Sequence, residues 1–248
     1  MNFKDYFSTQ SDIYAKYRPG YPDALYDFLL QLTPDRLTAW DCATGNGQVA
    51  VVLAQHFTTV FATDASPAQI NHAAARPNIH YSVATAENSG LASLSTNLIT
   101  VAQALHWFNF DAFYTEVRRV GKPGSVLAVW GYELCEVTPA VDAVFMYYYN
   151  HILAGFWAQE RMYVENRYTN IPFPFNEVAT PLFYIELQYN FFEFCGYLNS
   201  WSATQKYRQQ HGQNPLELVA AQLLEAWGNA EQMRFVRFPV FMRAGFID

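Results

Sequence analysis

Between Leu37 and Asp64 the apolar and polar positions of the chain change period three times, and each change predicts an element. Leu37–Cys42 is a short apolar run carrying Asp41 near its end, Gly45-Asn46-Gly47 is a tight turn, Val49–Ala54 opens an amphipathic helix, and Thr59–Thr63 is a β-branched run ending at Asp64. Together they predict a βαβ unit. Parallel strands joined by a helix bring the glycine turn and Asp64 to one carboxyl edge, where open α/β sheets bind their ligands.

The same reading extends along the chain. Pro22 starts a helix over Asp23–Leu30, and Ser66-Pro67 caps a second over Ala68–Ala75. Ile79–Val83 and the almost wholly apolar Asn97–Ala102 are strands, the latter covered by helices on both faces. A helix from about Asp111 to Val120 leads through the turn Lys122-Pro123-Gly124 to a fifth strand. Thr138–Arg161 then reads as one long helix with an aromatic face, followed by a loop holding Pro172, Phe173, Pro174 and Phe175. Strands over Phe183–Phe191 and Gln232–Arg243 enclose helices over Gly196–Gln209 and Pro215–Trp227. The expected organisation is α/β, with one sheet in a single domain spanning 1–248. It has an N-terminal lid-like segment, 1–31, and an aromatic-rich helical insertion at about 138–178.

Composition narrows the function. With 248 residues and 51% hydrophobic content the chain buries a full core. A net charge of −7, with only 15 Lys and Arg, argues against nucleic acid as partner and for a small substrate. Cys42, Cys135 and Cys195 are widely spaced, which indicates neither a disulfide framework nor a metal site and suits a reducing, cytoplasmic setting. No stretch approaches the roughly 20 apolar residues of a membrane span.

The turn carries the candidate chemistry. Gly45 and Gly47 let backbone approach a ligand, and Asp64 is placed to accept hydrogen bonds from a ribose diol. Gly45-Asn46-Gly47-Gln48-Val49-Ala50 also satisfies the relaxed dinucleotide pattern, so a nicotinamide-dependent oxidoreductase is one reading. Asp41 argues against it, because a carboxylate beside the turn opposes a pyrophosphate and favours the sulfonium and ammonium of S-adenosylmethionine. A regulatory protein that binds the cofactor without chemistry is the third reading. Gln103, His106 and Trp107 directly follow the central strand and are candidates for contact with cofactor or substrate.

The run Asp41-Cys42-Ala43-Thr44-Gly45-Asn46-Gly47 resembles the first motif of the class I S-adenosylmethionine-dependent methyltransferases, with Ala43 where the motif's first glycine usually stands. Tyr14-x-x-x-Arg18-Pro19-x-Tyr21-Pro22 and Gln103-Ala104-Leu105-His106-Trp107-Phe108 are similar to a subgroup related to the trans-aconitate and small-molecule methyltransferases. The resemblance implies a Rossmann-like, doubly wound, seven-stranded, mostly parallel sheet with an antiparallel last strand. It implies further that Tyr14 and Arg18 cover the methionine end of the cofactor, Asp64 takes the ribose, and Ala65 lies on the adenine face. Thr85 stands where many members have Asp, and the Ala86 amide reads the adenine edge. Methyl transfer needs alignment and water exclusion more than a nucleophilic side chain. His106 is the candidate base for an acceptor that must lose a proton. The expected partner is a small-molecule methyl acceptor, with the protein a monomer or homodimer and no metal.

Overall fold

The computed structural model describes residues 20–248. In chain order its first half holds α1 (Asp23–Leu32), β1 (Thr38–Cys42), α2 (Gln48–Leu53), β2 (Thr59–Asp64), α3 (Pro67–Asn71), β3 (Ile79–Val83), β4 (Thr96–Ala102), α4 (Phe110–Val120) and β5 (Gly121–Tyr132). Then follow α5 (Pro139–Tyr147), α6 (Arg161–Glu165), β6 (Asn176–Val178), β7 (Phe183–Tyr189), α7 (Phe191–Asn199), α8 (Ser202–His211), α9 (Ala220–Trp227) and β8 (Arg234–Phe246).

The strands form one sheet in the order β3-β2-β1-β4-β5-β8-β6, with β7 also paired to β8. β1 to β5 pair in parallel, and β8 alone runs against its neighbours β5, β6 and β7. The fold is therefore the Rossmann-like, mostly parallel sheet with an antiparallel last strand. The sheet has eight strands rather than the expected seven. The extra strand arises because β6 and β7 share one edge of β8 and are separated by a break. In that break the Thr180 hydroxyl donates to the Met242 carbonyl at 2.9 Å, and Pro181 has no amide to give the ladder.

The central strands are buried on both faces, and their side chains alternate between two core layers. Ala39, Leu98, Val126, Ala128 and Trp130 face Leu25 and Leu29 of α1 and Val49 and Leu53 of α2. Trp40, Ile99, Val101, Leu127 and Val129 face Phe113 and Val117 of α4. Tyr26 is buried in the first layer, and Tyr21 meets Trp130 edge-on at 5.5 Å, so both tyrosines pack the N-terminal helix onto the sheet. Caps set the helix starts: Ser66 for α3, Asn109 for α4, Thr138 for α5, and a capping box of Asn190 and Glu193 for α7.

Four helical expectations differ from the structure, among them the helix over Pro215–Trp227, which is a 3-10 turn over Pro215–Leu218 followed by α9 from Ala220. The long helix expected over Thr138–Arg161 stops at Tyr147, because the Trp157 indole donates to the Tyr149 carbonyl at 3.2 Å. Leu153, which would take that carbonyl in an α-helix, bonds Tyr148 instead and widens the turn. The helix expected over Gly196–Gln209 starts earlier, at Phe191, and is two helices: the Ser200 hydroxyl takes the Tyr197 carbonyl at 2.7 Å and buried Trp201 is extended. α3 ends at Asn71 rather than Ala75, where the chain turns so that the Ala74 amide reaches the Asn46 carbonyl. No helix among the described residues is long and apolar enough to cross a membrane.

Candidate functional site

The turn between β1 and α2 is built from left-handed residues. Ala43 has φ 55°, Gly45 58° and Gly47 87°. It is tied down by Thr44, whose amide donates to the Thr63 carbonyl at 2.9 Å, and by the Gly47 amide on the Thr44 carbonyl at 3.0 Å. The two glycines serve different ends. A Cβ on Gly47 would lie 2.2 Å from the Tyr81 hydroxyl, so that position is closed by packing. A Cβ on Gly45 would meet only Gln69, at 3.9 Å, so that position opens onto free space at the sheet edge.

Ala43 holds the conformation that glycine adopts without steric cost. For an L-residue the left-handed region costs roughly 1–2 kcal/mol, offset in part by the greater chain entropy that a glycine loses on folding. Ala43→Gly is therefore expected to stabilise the fold by about 0.5–1 kcal/mol, read as a higher urea midpoint at unchanged slope. A lower midpoint would mean that the Ala43 methyl group contributes packing that outweighs the strain.

Asp64 closes the turn from the next strand. Its Oδ2 accepts the Gly45 amide at 2.9 Å and its Oδ1 the Ser66 amide at 2.8 Å, so one carboxylate joins the glycine turn to the start of α3. A carboxylate oxygen can accept more than one hydrogen bond. Ala65 follows in a half-buried position, and the Ala84 amide donates to the Asp64 carbonyl at 3.0 Å, which brings the segment after β3 to the same edge. There Thr85 is exposed and Ala86 buried. Glu87 accepts the Asn109 amide at 2.9 Å and so serves the start of α4.

Asp41 lies beneath the turn, 1% exposed. Its carboxylate accepts the Thr44 hydroxyl at 2.5 Å and the Thr100 hydroxyl at 2.8 Å. Burial pushes its pKa up to about 6 against the lowering effect of these hydroxyls and of the Ala50 amide, and neighbouring Asp64 adds to the rise. Thr44 and Thr100 were not singled out from the sequence; the signal for Thr100 was a hydroxyl in the apolar run of β4.

The second group stands at the end of β4. Gln103 is left-handed, with φ 55°; its amide donates to the Trp130 carbonyl at 2.8 Å and its side chain to the Tyr132 carbonyl at 3.4 Å. His106 is buried, its ring 4.8 Å from that of Trp107, and its Nδ1 is 2.8 Å from the Tyr168 hydroxyl. Burial, and then the charge of Arg161, lower the His106 pKa to about 3. Tyr168, also missed in the sequence, comes from the aromatic insertion. The structure thus brings Asp41, Ala43, Gly45, Gly47 and Asp64 into one cradle, adds Ala65, Thr85 and Ala86 along its edge, and places Gln103, His106 and Trp107 after the adjacent strand. Tyr14 and Arg18 lie outside the described residues.

Residues 40–129 match the methyltransferase domain family. The chain is 32% identical over 247 residues to a Dictyostelium discoideum protein named as a methyltransferase, covering 97% of this chain and 94% of that one. A solved structure described as a type II methyltransferase from Anaeromyxobacter dehalogenans is 42% identical and superimposes with a TM-score of 0.88 over 93% of this chain and 98% of that chain. The YcgJ protein of Bacillus subtilis, at 14% identity and a TM-score of 0.55 over 91% of this chain and 98% of its own, shares the fold. With its β1–α2 glycine turn, its Asp64 and a full-length relative at this identity, the chain belongs to the class I S-adenosylmethionine-dependent methyltransferases.

Proposed function

We propose that this enzyme transfers a methyl group from S-adenosylmethionine to a small-molecule acceptor. The observation that carries the cofactor reading is the Asp64 carboxylate, fixed by the Gly45 and Ser66 amides beside the open face of Gly45. The donor set suits this cofactor. A carboxylate at the end of the second strand matches a ribose diol, and the Asp41 carboxylate, mostly ionised at neutral pH, adds negative potential beneath a turn that a pyrophosphate would have to approach.

When bound, S-adenosylmethionine supplies a methyl group on a sulfonium, already activated for displacement. The chain's own residues bind and align. Gly45 gives backbone approach, Gly47 lets the turn close against Tyr81, Asp64 orients the ribose, and Ala65, Thr85 and the Ala86 amide take the adenine side. Tyr14, Arg18 and Gln103 take the methionine side. His106 and Trp107 face the acceptor, and the insertion at 138–178 covers it and excludes water. The likeness of Arg18-Pro19-Gly20-Tyr21-Pro22 and Gln103–Phe108 to the trans-aconitate and small-molecule methyltransferases supports a small acceptor, as does the net charge of −7.

Calorimetric titration separates the cofactors: heat from S-adenosylmethionine and none from NADH is the expected result, and the reverse would overturn the reading. With methyl-labelled cofactor and a cell extract, label should pass an ultrafiltration membrane in the metabolite fraction. Label retained only in protein or nucleic acid would overturn the small acceptor.

A further inference from the structure

Tyr168 reaches His106 by a costly route. Arg167 and Tyr168 are consecutive non-glycine residues in the left-handed region, with φ 51° and 58°. Such residues persist only where their surroundings over-determine them. Here the Tyr168 amide donates to the Tyr163 carbonyl at 2.8 Å, and the Arg167 guanidinium pairs with Glu133 at 2.9 Å. Arg243 donates to the carbonyls of Tyr168 and Ile171 at 2.9 and 2.7 Å while holding Glu177 through two bonds of 2.8 Å. What this scaffold delivers is a hydroxyl. The Tyr168 ring packs edge-on against Phe241 at 5.0 Å, a contact that phenylalanine would make equally well, and its oxygen sits 2.8 Å from His106 Nδ1.

We infer that Tyr168 is a positioning residue whose hydroxyl donates to Nδ1 of His106, holding the imidazole in the tautomer with its proton on Nε2 and presenting a hydrogen-bond donor to the methyl acceptor. A phenol has one proton to give; the His106 backbone amide is itself a donor to the oxygen, and Nδ1 at 2.8 Å is the group placed to accept the proton. Burial raises the Tyr168 pKa, so the phenol keeps that proton, while the same burial and the Arg161 charge keep His106 neutral. With Nδ1 occupied as an acceptor, Nε2 carries hydrogen and cannot take a proton. His106 is then not the base that its sequence position suggested. The enzyme suits an acceptor whose nucleophilic lone pair is available at neutral pH without deprotonation, and which itself accepts one hydrogen bond.

This consequence for the acceptor rests on the methyltransfer reading; the tautomer does not, and the two are tested apart. Nitrogen-15 spectra of the histidine-labelled protein at pH 7, with His106 assigned by loss of its signals in His106→Asn, read the tautomer directly. The expected result is an unprotonated, pyridine-like Nδ1 and a protonated, pyrrole-like Nε2 in the wild type. In Tyr168→Phe, which keeps the ring packing, the two nitrogens should move toward averaged shifts. A pyrrole-like Nδ1 in the wild type overturns the inference, as does a Tyr168→Phe spectrum identical to wild type. Calorimetry with S-adenosylmethionine on the same samples tests the cofactor reading separately, since Tyr168→Phe should leave that affinity within about twofold.

Discussion

Asp64→Ala is expected to weaken S-adenosylmethionine binding by about 1.5–3 kcal/mol, a rise in Kd of roughly 10- to 150-fold. The range is that of hydrogen bonds to a charged group, and the geometry explains why Asp64 is ready to make them. Because the Gly45 and Ser66 amides each occupy one oxygen, the carboxylate is oriented before any ligand arrives and little side-chain entropy remains to be lost. The same two bonds make the substitution felt in the fold. Removing the carboxylate strips two amides of their partner, but Asp64 is half-buried and water can replace it, so the stability loss should stay near about 1 kcal/mol. Asp64→Asn keeps the shape without the charge and should fall between the two. Calorimetry on variants that retain the wild-type urea transition checks this, and an unchanged Kd for folded Asp64→Ala would remove the residue from the site.

The second large effect is a dependence of stability on pH set by Asp41. In the unfolded chain this carboxyl titrates near its ordinary value of 3.8, and in the folded protein burial moves it to about 6. Between these values the folded state holds a proton that the unfolded chain has released. The contribution to stability is therefore fully present below about pH 4 and is lost as pH rises through about 6, amounting to on the order of 3 kcal/mol. Asp41→Asn has no such titration. The difference in unfolding free energy, wild type minus Asp41→Asn, should fall across this window and level off above it. Urea unfolding in half-unit steps of pH checks the trend, and a constant difference would show that Asp41 does not titrate there. The hydroxyls of Thr44 and Thr100 are what limit the shift, so Thr100→Val should move the window further upward.

What the sequence made legible and what it hid differ in the range of the interactions involved. The glycine turn and Asp64 could be read because one βαβ connection brings them together, and nothing beyond that connection is needed to place them. Ala43 shows the limit of reading residue types: its conformation, with φ 55°, is imposed by the turn around it rather than announced by an alanine. Asp41 was legible as a carboxylate near the turn, yet one of its hydroxyl partners, Thr100, comes from a strand 59 residues away. The His106 partner was further removed still, at 62 residues, in the stretch between the helix expected over Thr138–Arg161 and the loop at Pro172. That helix was misread because a side chain, the Trp157 indole, competes successfully for a backbone carbonyl. The strand count failed for a related reason, since the hydrophobic pattern of β6 and β7 does not reveal that one edge of β8 accommodates both.

The division of β8 between partners also orders the assembly of the molecule. Val240–Phe246 pairs with β5 inside the sheet, while Arg234–Val240 pairs with β7 beyond it, and these are two stretches of one continuous strand. β8 follows each of its partners in sequence. As the chain leaves the ribosome, β1 to β5 can pair by short-range parallel crossovers, whereas β6 and β7 have no strand to join until β8 emerges. The glycine turn and Asp64, which lie within β1 to β3 and their connections, are thus placed early, and the segments that follow β5 are fastened late. A nascent chain stalled before Arg234 would carry the turn and Asp64 in an otherwise open protein, with the apolar edges of β5 and β7 awaiting their common neighbour.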